Sequence, residues 1–324
     1  MSDIPEWFAR FVFHHVRLYG WIPVGLAMLR SPQKRWFLAF YALTRKTEAW
    51  RSFVHNFFSY GLRNSPARLE NALSVPLRPA SEKRYLCCIH PHGLLCDGWH
   101  CLIGKNPDAF KPDNDAICGV PNFKPFLCFS PVIQYVPGHQ ECYRERCGGA
   151  SSADVERVLR TTDCIPAICP GGFAEAVWCW SDGKYEYSWL KNNSRFMAVA
   201  IKHKLDIIPS YTYGLTSMYK TNTFFRQQLA EAAQKSQAPL VLAIGKLGMM
   251  PFHEDVVTAI YDPFPVDAYT LDDVEQALQD YSTYLKACFD KDKAKYGMGD
   301  KEMIFIGPRS ADRKGARLAQ RSSL

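Results

Sequence analysis

The sequence lacks an uninterrupted apolar run of the length a bilayer demands. Its first fifty residues are rich in Trp, Phe and Tyr, but each apolar stretch there is cut short, and Leu18 to Leu29 runs only twelve residues between Arg17 and Arg30. A simple spanning helix needs roughly 20. Cys-x-x-Cys pairs are also missing, although eleven of the twelve cysteines fall between Cys87 and Cys179. With no cleavable signal peptide before them, they read as reduced core thiols facing the cytosol, not as a disulfide framework or a zinc cluster. Basic residues do not interleave with aromatics as they do in RNA- and DNA-binding modules, so nucleic acid is not an expected partner. No internal repeat occurs, and there is no Gly-x-Ser-x-Gly elbow to present a serine nucleophile.

The composition that remains is that of a folded protein with lipid leanings. Of 324 residues, 47% are apolar and 22% charged, while 14% aromatic is generous for a protein surrounded only by water. The net charge of +7 is spread along the chain except in the tail, where Arg309, Arg313, Lys314, Arg317 and Arg321 face only Asp312. Four parts are expected. Residues 1–50 are expected to form an aromatic helical anchor, interfacial or re-entrant, with Arg10, Arg17, Lys34 and Arg35 at headgroup level; an ordinary helical pair packed on the domain is the alternative. Residues 51–83 connect, 84–306 make the main domain, and 307–324 are a basic, disordered and solvated tail, with attraction to an anionic membrane surface as the alternative.

Within 84–306 short apolar runs alternate with amphipathic stretches, the pattern of an α/β domain whose largely parallel central sheet is flanked by helices. Strands are predicted at Tyr85 to Ile89, Ala116 to Val120, Ile165 to Cys169, Leu205 to Ser210, Leu240 to Ile244 and Val256 to Tyr261. Ser151 with Asp154 caps a helix whose stripe is Val155, Val158 and Leu159. Asn193 to His203 is a second helix, with Phe196, Val199 and Ala200 inward. Asp272 to Lys295 is a third, with Val274, Leu278, Tyr281 and Leu285 inward, and Gly297 stops it.

The first of these strands breaks into His90-Pro91-His92-Gly93-Leu94-Leu95-Cys96-Asp97. Strand ends in open α/β sheets are where ligand and catalytic groups gather. Pro91 fixes a dihedral and Gly93 permits a close approach, so the two imidazoles are held in one geometry. Asp97, five residues after His92, is placed to orient its imidazole and stabilise the imidazolium. Without a serine elbow, the substrate's own hydroxyl is the expected nucleophile and transfer is expected to be direct. A second strand ends in Cys169-Pro170-Gly171-Gly172-Phe173-Ala174-Glu175. Backbone amides at Gly171 and Gly172 are candidates for an oxyanion site. Glu175 is placed to hold His90 or His92, or to receive a substrate hydroxyl.

At these residues the sequence resembles the type-2 diacylglycerol acyltransferase family, which includes monoacylglycerol and wax-alcohol acyltransferases. His90 to Gly93 matches the family's tetrapeptide, and Gly171-Gly172 with Glu175 resembles its glycine-rich block. Lys202 to Gly214, KHKLDIIPSYTYG, looks like its strand into a Pro-x-Tyr-x-x-Gly turn, and Phe289 to Gly297, FDKDKAKYG, like its C-terminal helix ending. Two departures stand out: the N-terminal apolar runs are shorter than the family's hydrophobic hairpin, and Leu215 follows Gly214 where an acidic residue is common.

The resemblance implies a glycerolipid-acyltransferase-like fold with His92 as catalytic base, supported by His90, Asp97 and Glu175. The reaction implied is esterification of a neutral lipid alcohol by acyl-CoA, diacylglycerol to triacylglycerol first, with monoacylglycerol or wax-alcohol acylation as the alternative. Acyl-CoA is a co-substrate, and no cofactor or metal is required. Arg144, Arg146, Lys191 and Arg195 are candidates for the phosphates of coenzyme A, and the aromatic N-terminal segment or the Phe123 to Val136 run for the acyl channel. The place implied is the cytosolic face of the endoplasmic reticulum membrane, with lipid droplets as a second site. Two rival readings remain: a metal-dependent hydrolase using the His-x-His pair with Asp97 or His100, and a non-catalytic lipid-binding scaffold. The sequence does not reveal an oligomeric state.

Overall fold

A computed structural model describes residues 47–49, 52, 67–94, 96, 98, 116–117, 120–130, 147–179, 183–221, 224–236, 241, 243–246, 250–252 and 255–308. The expected anchor around Trp7 to Leu43 and the tail beyond 308 lie outside the described residues. In chain order the elements are β1 (Arg68–Asn71), β2 (Tyr85–His90), β3 (Ala116–Ile117), β4 (Val120–Pro121), β5 (Pro125–Phe129), β6 (Cys147–Gly149), α1 (Ser152–Thr161), β7 (Ile165–Ile168) and α2 (Gly172–Ala176). They continue with β8 (Tyr185–Ser188), α3 (Arg195–Lys202), β9 (Asp206–Tyr213), β10 (Lys220–Thr221), α4 (Arg226–Ser236), β11 (Ala243–Ile244), β12 (Val257–Ile260), α5 (Val274–Asp292) and β13 (Glu302–Phe305).

Seven strands form the central sheet, in the order β1-β12-β9-β2-β7-β5-β6. Only the β12–β9 pair is antiparallel. The expected mixed α/β fold with a mostly parallel sheet is therefore present. β2 lies near the middle, and all six of its residues are buried, as the apolar run Tyr-Leu-Cys-Cys-Ile requires of a strand covered on both faces. Its side chains divide by the two-residue period. Leu86 and Cys88 pack with α3 and α5 residues such as Met197, Tyr281 and Leu285, while Tyr85, Cys87 and Ile89 pack with Phe123, Leu127 and Phe129 on the other face.

The helices form where patterns of 3.6 residues meet good caps. Ser151 caps α1, its Oγ accepting the Asp154 N–H at 3.2 Å, and Val155 and Val158 are buried. In α3 the buried positions are Phe196, Met197, Ala198, Ala200 and Ile201, so Val199, expected inward, is only half-buried. α5 buries Val274, Ala277, Leu278, Tyr281, Leu285, Cys288 and Phe289. A tyrosine network ties its last turns to the sheet: the Tyr213 hydroxyl meets Tyr261 at 2.7 Å, and Tyr261 donates to Asp292 at 2.9 Å. Gly297, at φ +71, follows the final turns.

Three expectations change. Ala116 to Val120 is not a sheet strand, because β3 and β4 pair with each other as a small antiparallel hairpin, where Pro121 lacks an amide and Asn122 turns at φ +60. The sheet strand is β5, five residues later, and every one of its residues is buried. Phe123, Leu127 and Phe129 thus belong to the core and do not line an acyl channel, while residues 131–136 of that run lie outside the described residues. Leu240 to Ile244 reduces, among the described residues, to the two-residue β11, which pairs with β10 outside the main sheet.

Candidate active site

Two loops rise side by side from the carboxyl ends of neighbouring parallel strands. β2 ends at His90 and runs into Pro91-His92-Gly93; β7, paired with it at Cys88 and Ile168, ends one residue before Cys169-Pro170-Gly171. On the other flank β9 lies parallel to β2, with Tyr211 opposite His90, and turns at Gly214 into Leu215. Crevices outside the carboxyl ends of strands are the usual ligand sites of such sheets.

Glu175, on α2, joins the two loops. It is fully buried and its carboxylate serves three donors: the His92 main-chain N–H at 2.6 Å on one oxygen, the Ser188 hydroxyl and the Trp189 N–H, both at 2.8 Å, on the other. Burial pushes its pKa above the ordinary carboxylate value, against these hydrogen bonds and the nearby His92, which pull it down. Gly171 makes the arrangement possible, since a Cβ there would lie 2.5 Å from Glu175 Cδ and 2.6 Å from its Oε2. Asn193 secures the turn from outside, donating to the carbonyl oxygens of Pro170 at 2.7 Å and Trp189 at 3.3 Å.

The His92 ring is buried, with Phe173 5.7 Å away. Its Nδ1 stands 2.7 Å from the Gly93 carbonyl oxygen. A carbonyl only accepts, so Nδ1 keeps its hydrogen in both charge states of the ring, and Nε2 is the nitrogen whose proton exchanges. Cys96 Sγ lies 2.9 Å from Nε2 and 3.4 Å from Nδ1, which places the sulfur over the imidazole, nearer Nε2. Burial alone would depress the His92 pKa; the Cys96 sulfur, the Gly93 carbonyl and the Glu175 carboxylate outweigh it and push the value up to about 9. Gly93 is confined twice, by φ +64 and by Leu215, whose side chain a Cβ would approach to 2.7 Å. Leu215 thus closes over the His-Pro-His-Gly turn.

His90 behaves differently. Joined to Pro91 by a cis peptide bond, it turns to the α5 face, where Nε2 meets the Tyr281 hydroxyl at 3.0 Å and Nδ1 finds no hydrogen-bond partner among the described residues. Burial pushes its pKa down to about 3, so it stays neutral. It braces β2 against α5. Among the described residues no three His, Cys, Asp or Glu side chains converge as a metal site would require.

Of the other expected residues, Asp97, His100, Arg144 and Arg146 lie outside the described ones. Lys191 and Arg195 are exposed, in the loop before α3 and at its first residue. The Gly172 amide, expected to face an oxyanion, donates to the Cys169 carbonyl at 3.0 Å; that donor is spent within the turn. Sequence reading missed Cys96, Ser188 and Asn193. Cys96 has a signal, standing four residues after His92 with Gly93 between, but a cysteine-rich segment reads collectively as core thiols. Ser188 and Asn193 had none.

Residues 26–306 match the family model described as diacylglycerol acyltransferase. The chain belongs to that acyltransferase family. Diacylglycerol O-acyltransferase 2 of Xenopus tropicalis is 26% identical over 240 residues, covering 69% of this chain and 65% of that protein. Acyl-CoA wax alcohol acyltransferase 2 of Homo sapiens is 23% identical over 242 residues, covering 69% and 70%. Diacylglycerol O-acyltransferase 2-like protein 6 of Mus musculus is 26% identical over 236 residues, covering 66% and 67%. The aligned part of the chain therefore spans just under two thirds of the Xenopus tropicalis protein. No solved structure matches the chain. Among the described residues no helix is long and apolar enough to cross a membrane.

Proposed function

We propose that this member of the diacylglycerol acyltransferase family transfers an acyl group from acyl-CoA to the hydroxyl of a neutral lipid, diacylglycerol first, at the cytosolic face of the endoplasmic reticulum membrane, with lipid droplets as a second location. The observation that carries the reading is the hydrogen bond from His92 Nδ1 to the Gly93 carbonyl, which leaves Nε2 as the nitrogen that exchanges a proton. With Nδ1 committed to Gly93 and the main chain clamped by Glu175, Nε2 is the atom that takes the acceptor's proton as its oxygen attacks an acyl thioester. The carbonyl becomes tetrahedral and coenzyme A departs. General-base help of this kind is worth about 10²–10⁴-fold. Glu175 and His90 act as positioning residues, since neither carboxylate nor ring meets the His92 imidazole in a hydrogen bond. Asp97 is retained as a candidate orienting carboxylate, and Arg144, Arg146, Lys191 and Arg195 as candidates for the phosphates of coenzyme A.

A long-chain alcohol is the second acceptor considered, because relatives of similar identity carry the wax-alcohol name as well as the diacylglycerol one. Expression in a yeast unable to make neutral lipids, followed by lipid profiling with and without added hexadecanol, distinguishes them. Triacylglycerol accumulation supports the first reading and wax ester alone the second. Neither ester, from a chain shown to be present in the membranes, overturns both and favours a non-catalytic scaffold; activity abolished by chelators and restored by a divalent ion favours the metal-dependent alternative.

A further inference from the structure

Glu175 is one of two buried carboxylates among the described residues; Glu186, in β8, is the other and is 2% exposed. A carboxylate kept from water costs stability unless donors meet it, and replacing such a group and its partners by apolar residues often stabilises a fold. The donors to Glu186 flank a single turn beside the site. Thr216 Oγ1 lies 2.9 and 2.8 Å from its two oxygens, and the Tyr211 hydroxyl reaches Oε2 at the long limit of 3.5 Å. Tyr211 precedes and Thr216 follows Gly214, whose φ of +80 takes the chain out of β9 into the 3₁₀ turn Leu215–Ser217.

β8 stands outside the seven-stranded sheet and pairs with β13, Met303 opposite Glu186 and Phe305 opposite Ser188. By the two-residue period Tyr185 and Tyr187 are half-buried, while Glu186 and Ser188 fall on the buried side. Ser188 donates to Glu175, which holds the His92 main chain. Glu186, two residues earlier, holds the turn after β9, so one short strand grips both flanks of the His-Pro-His-Gly loop. The second grip is passed on by contact. Leu215, next to Thr216, packs on Gly93 so closely that a Cβ there would lie 2.7 Å from its Cγ and Cδ2, and the Gly93 carbonyl is what His92 Nδ1 meets at 2.7 Å. Met298 adds a hold on the same turn, its sulfur accepting the Gly214 N–H at 3.4 Å.

The geometry points to Glu186 as a positioning residue for acyl transfer: by fixing Thr216 it keeps Leu215 against Gly93, and so keeps the Gly93 carbonyl on His92 Nδ1. It acts through the turn and not on the ring. The role rests on the acyltransferase reading, because what Glu186 positions is the base of that reaction. Release of the carbonyl removes a hydrogen bond that favours the charged imidazole, so His92 then titrates at lower pH. The other titratable groups near the ring among the described residues, Cys96 and Glu175, are unaltered in the variants that follow.

The test removes the hydroxyl and keeps the shape. The full chain in detergent micelles, carrying isotope-labelled histidine, is titrated by NMR, with the His92 signal assigned by its loss in His92→Gln. Thr216→Val should lower the His92 midpoint by about half a pH unit to one unit, the worth of one ordinary hydrogen bond. Thr216→Ser, which restores the donor, should titrate as the parent does. In Thr216→Val, kcat for ester formation should fall by about 10- to 100-fold, with its acid limb moved the same way. Glu186→Met should reproduce both changes, and combining it with Thr216→Val should add nothing, since the two act through one contact. Where Glu186→Met does not fold, the two Thr216 variants decide alone. An unmoved midpoint in folded Thr216→Val, or an equal shift in Thr216→Ser, overturns the positioning role, and ester from the parent then leaves the acyltransferase reading standing. No ester from the parent with any alcohol overturns that reading, while the midpoint in Thr216→Val still decides whether Glu186 sets the His92 geometry.

Discussion

Glu175 holds His92 by its main-chain N–H, at 2.6 Å, and not by its imidazole. The carboxylate therefore sets where the His-Pro-His-Gly loop lies without tuning the ring through a hydrogen bond, and it ties that loop to the end of β8 through Ser188 and Trp189. Glu175→Gln keeps the volume but offers one acceptor oxygen where two oxygens now serve three donors. At least one buried donor then faces the amide NH₂, at a cost of about 1–3 kcal/mol. We expect a lower melting temperature and a partial fall in turnover with the acceptor preference unchanged. A Glu175→Gln chain as stable and as active as the parent removes the clamp from the account.

The adjacent glycines separate space from backbone conformation. Gly171→Ala places a methyl group 2.5 Å from Glu175 Cδ, so the carboxylate must move off His92 and activity should fall as it does in Glu175→Gln. Gly172→Ala meets nothing within 4 Å but keeps φ +51, a left-handed cost of about 1–2 kcal/mol. Its effect should be on stability with turnover retained. Parallel melting and turnover assays of the two variants check the contrast, and equal loss of turnover in both contradicts it.

His90 gives a prediction in acid. A folded-state pKa of about 3 against 6.5 unfolded means that the unfolded chain binds the proton first. Stability from keeping His90 neutral is fully present above pH 6.5 and is lost as pH falls from there through about 3. At about 1.36 kcal/mol per pH unit, the loss amounts to roughly 5 kcal/mol. Denaturant unfolding from pH 7 to 4 should show this slope, and His90→Gln should flatten it.

His92 has the opposite sign. Its folded pKa, about 9, lies above 6.5, so its contribution is complete below pH 6.5 and disappears as pH rises through 9, roughly 3 kcal/mol in all. The parent should melt lower at pH 10 than at pH 7, and Cys96→Ala, which removes the neighbouring sulfur, should lose most of that dependence. An unchanged slope in Cys96→Ala shows that the sulfur is not what holds the proton.

Local pattern made much of this fold legible. Tyr85–His90 announces itself as a continuous buried run, and Ser151 with Asp154 as a capped helix; Tyr281 falls on the inward stripe of α5 by spacing alone. Strand partners far apart in sequence were hidden. Tyr185–Ser188 pairs with Glu302–Phe305, and neither stretch signals the other. β5 was masked because Pro125 opens a stretch whose apolar residues read equally well as a channel wall. The site divides in the same way. Residue identity pointed to His92 and Glu175, but whether the carboxylate meets ring or main chain depends on how α2 stacks beside β2, which no spacing encodes. Cys96 was missed because a cysteine-rich segment invites one collective reading.

The central claim is that His92 moves the proton in acyl transfer. The most direct measurement is ester formation from labelled oleoyl-CoA by the parent and by His92→Gln, assayed in the same membranes against diacylglycerol, monoacylglycerol and hexadecanol, with melting temperatures recorded beside the rates. The account predicts ester from the parent and a fall of at least about 100-fold in a folded His92→Gln chain. A His92→Gln chain that esterifies the same alcohol within a few-fold of the parent contradicts it.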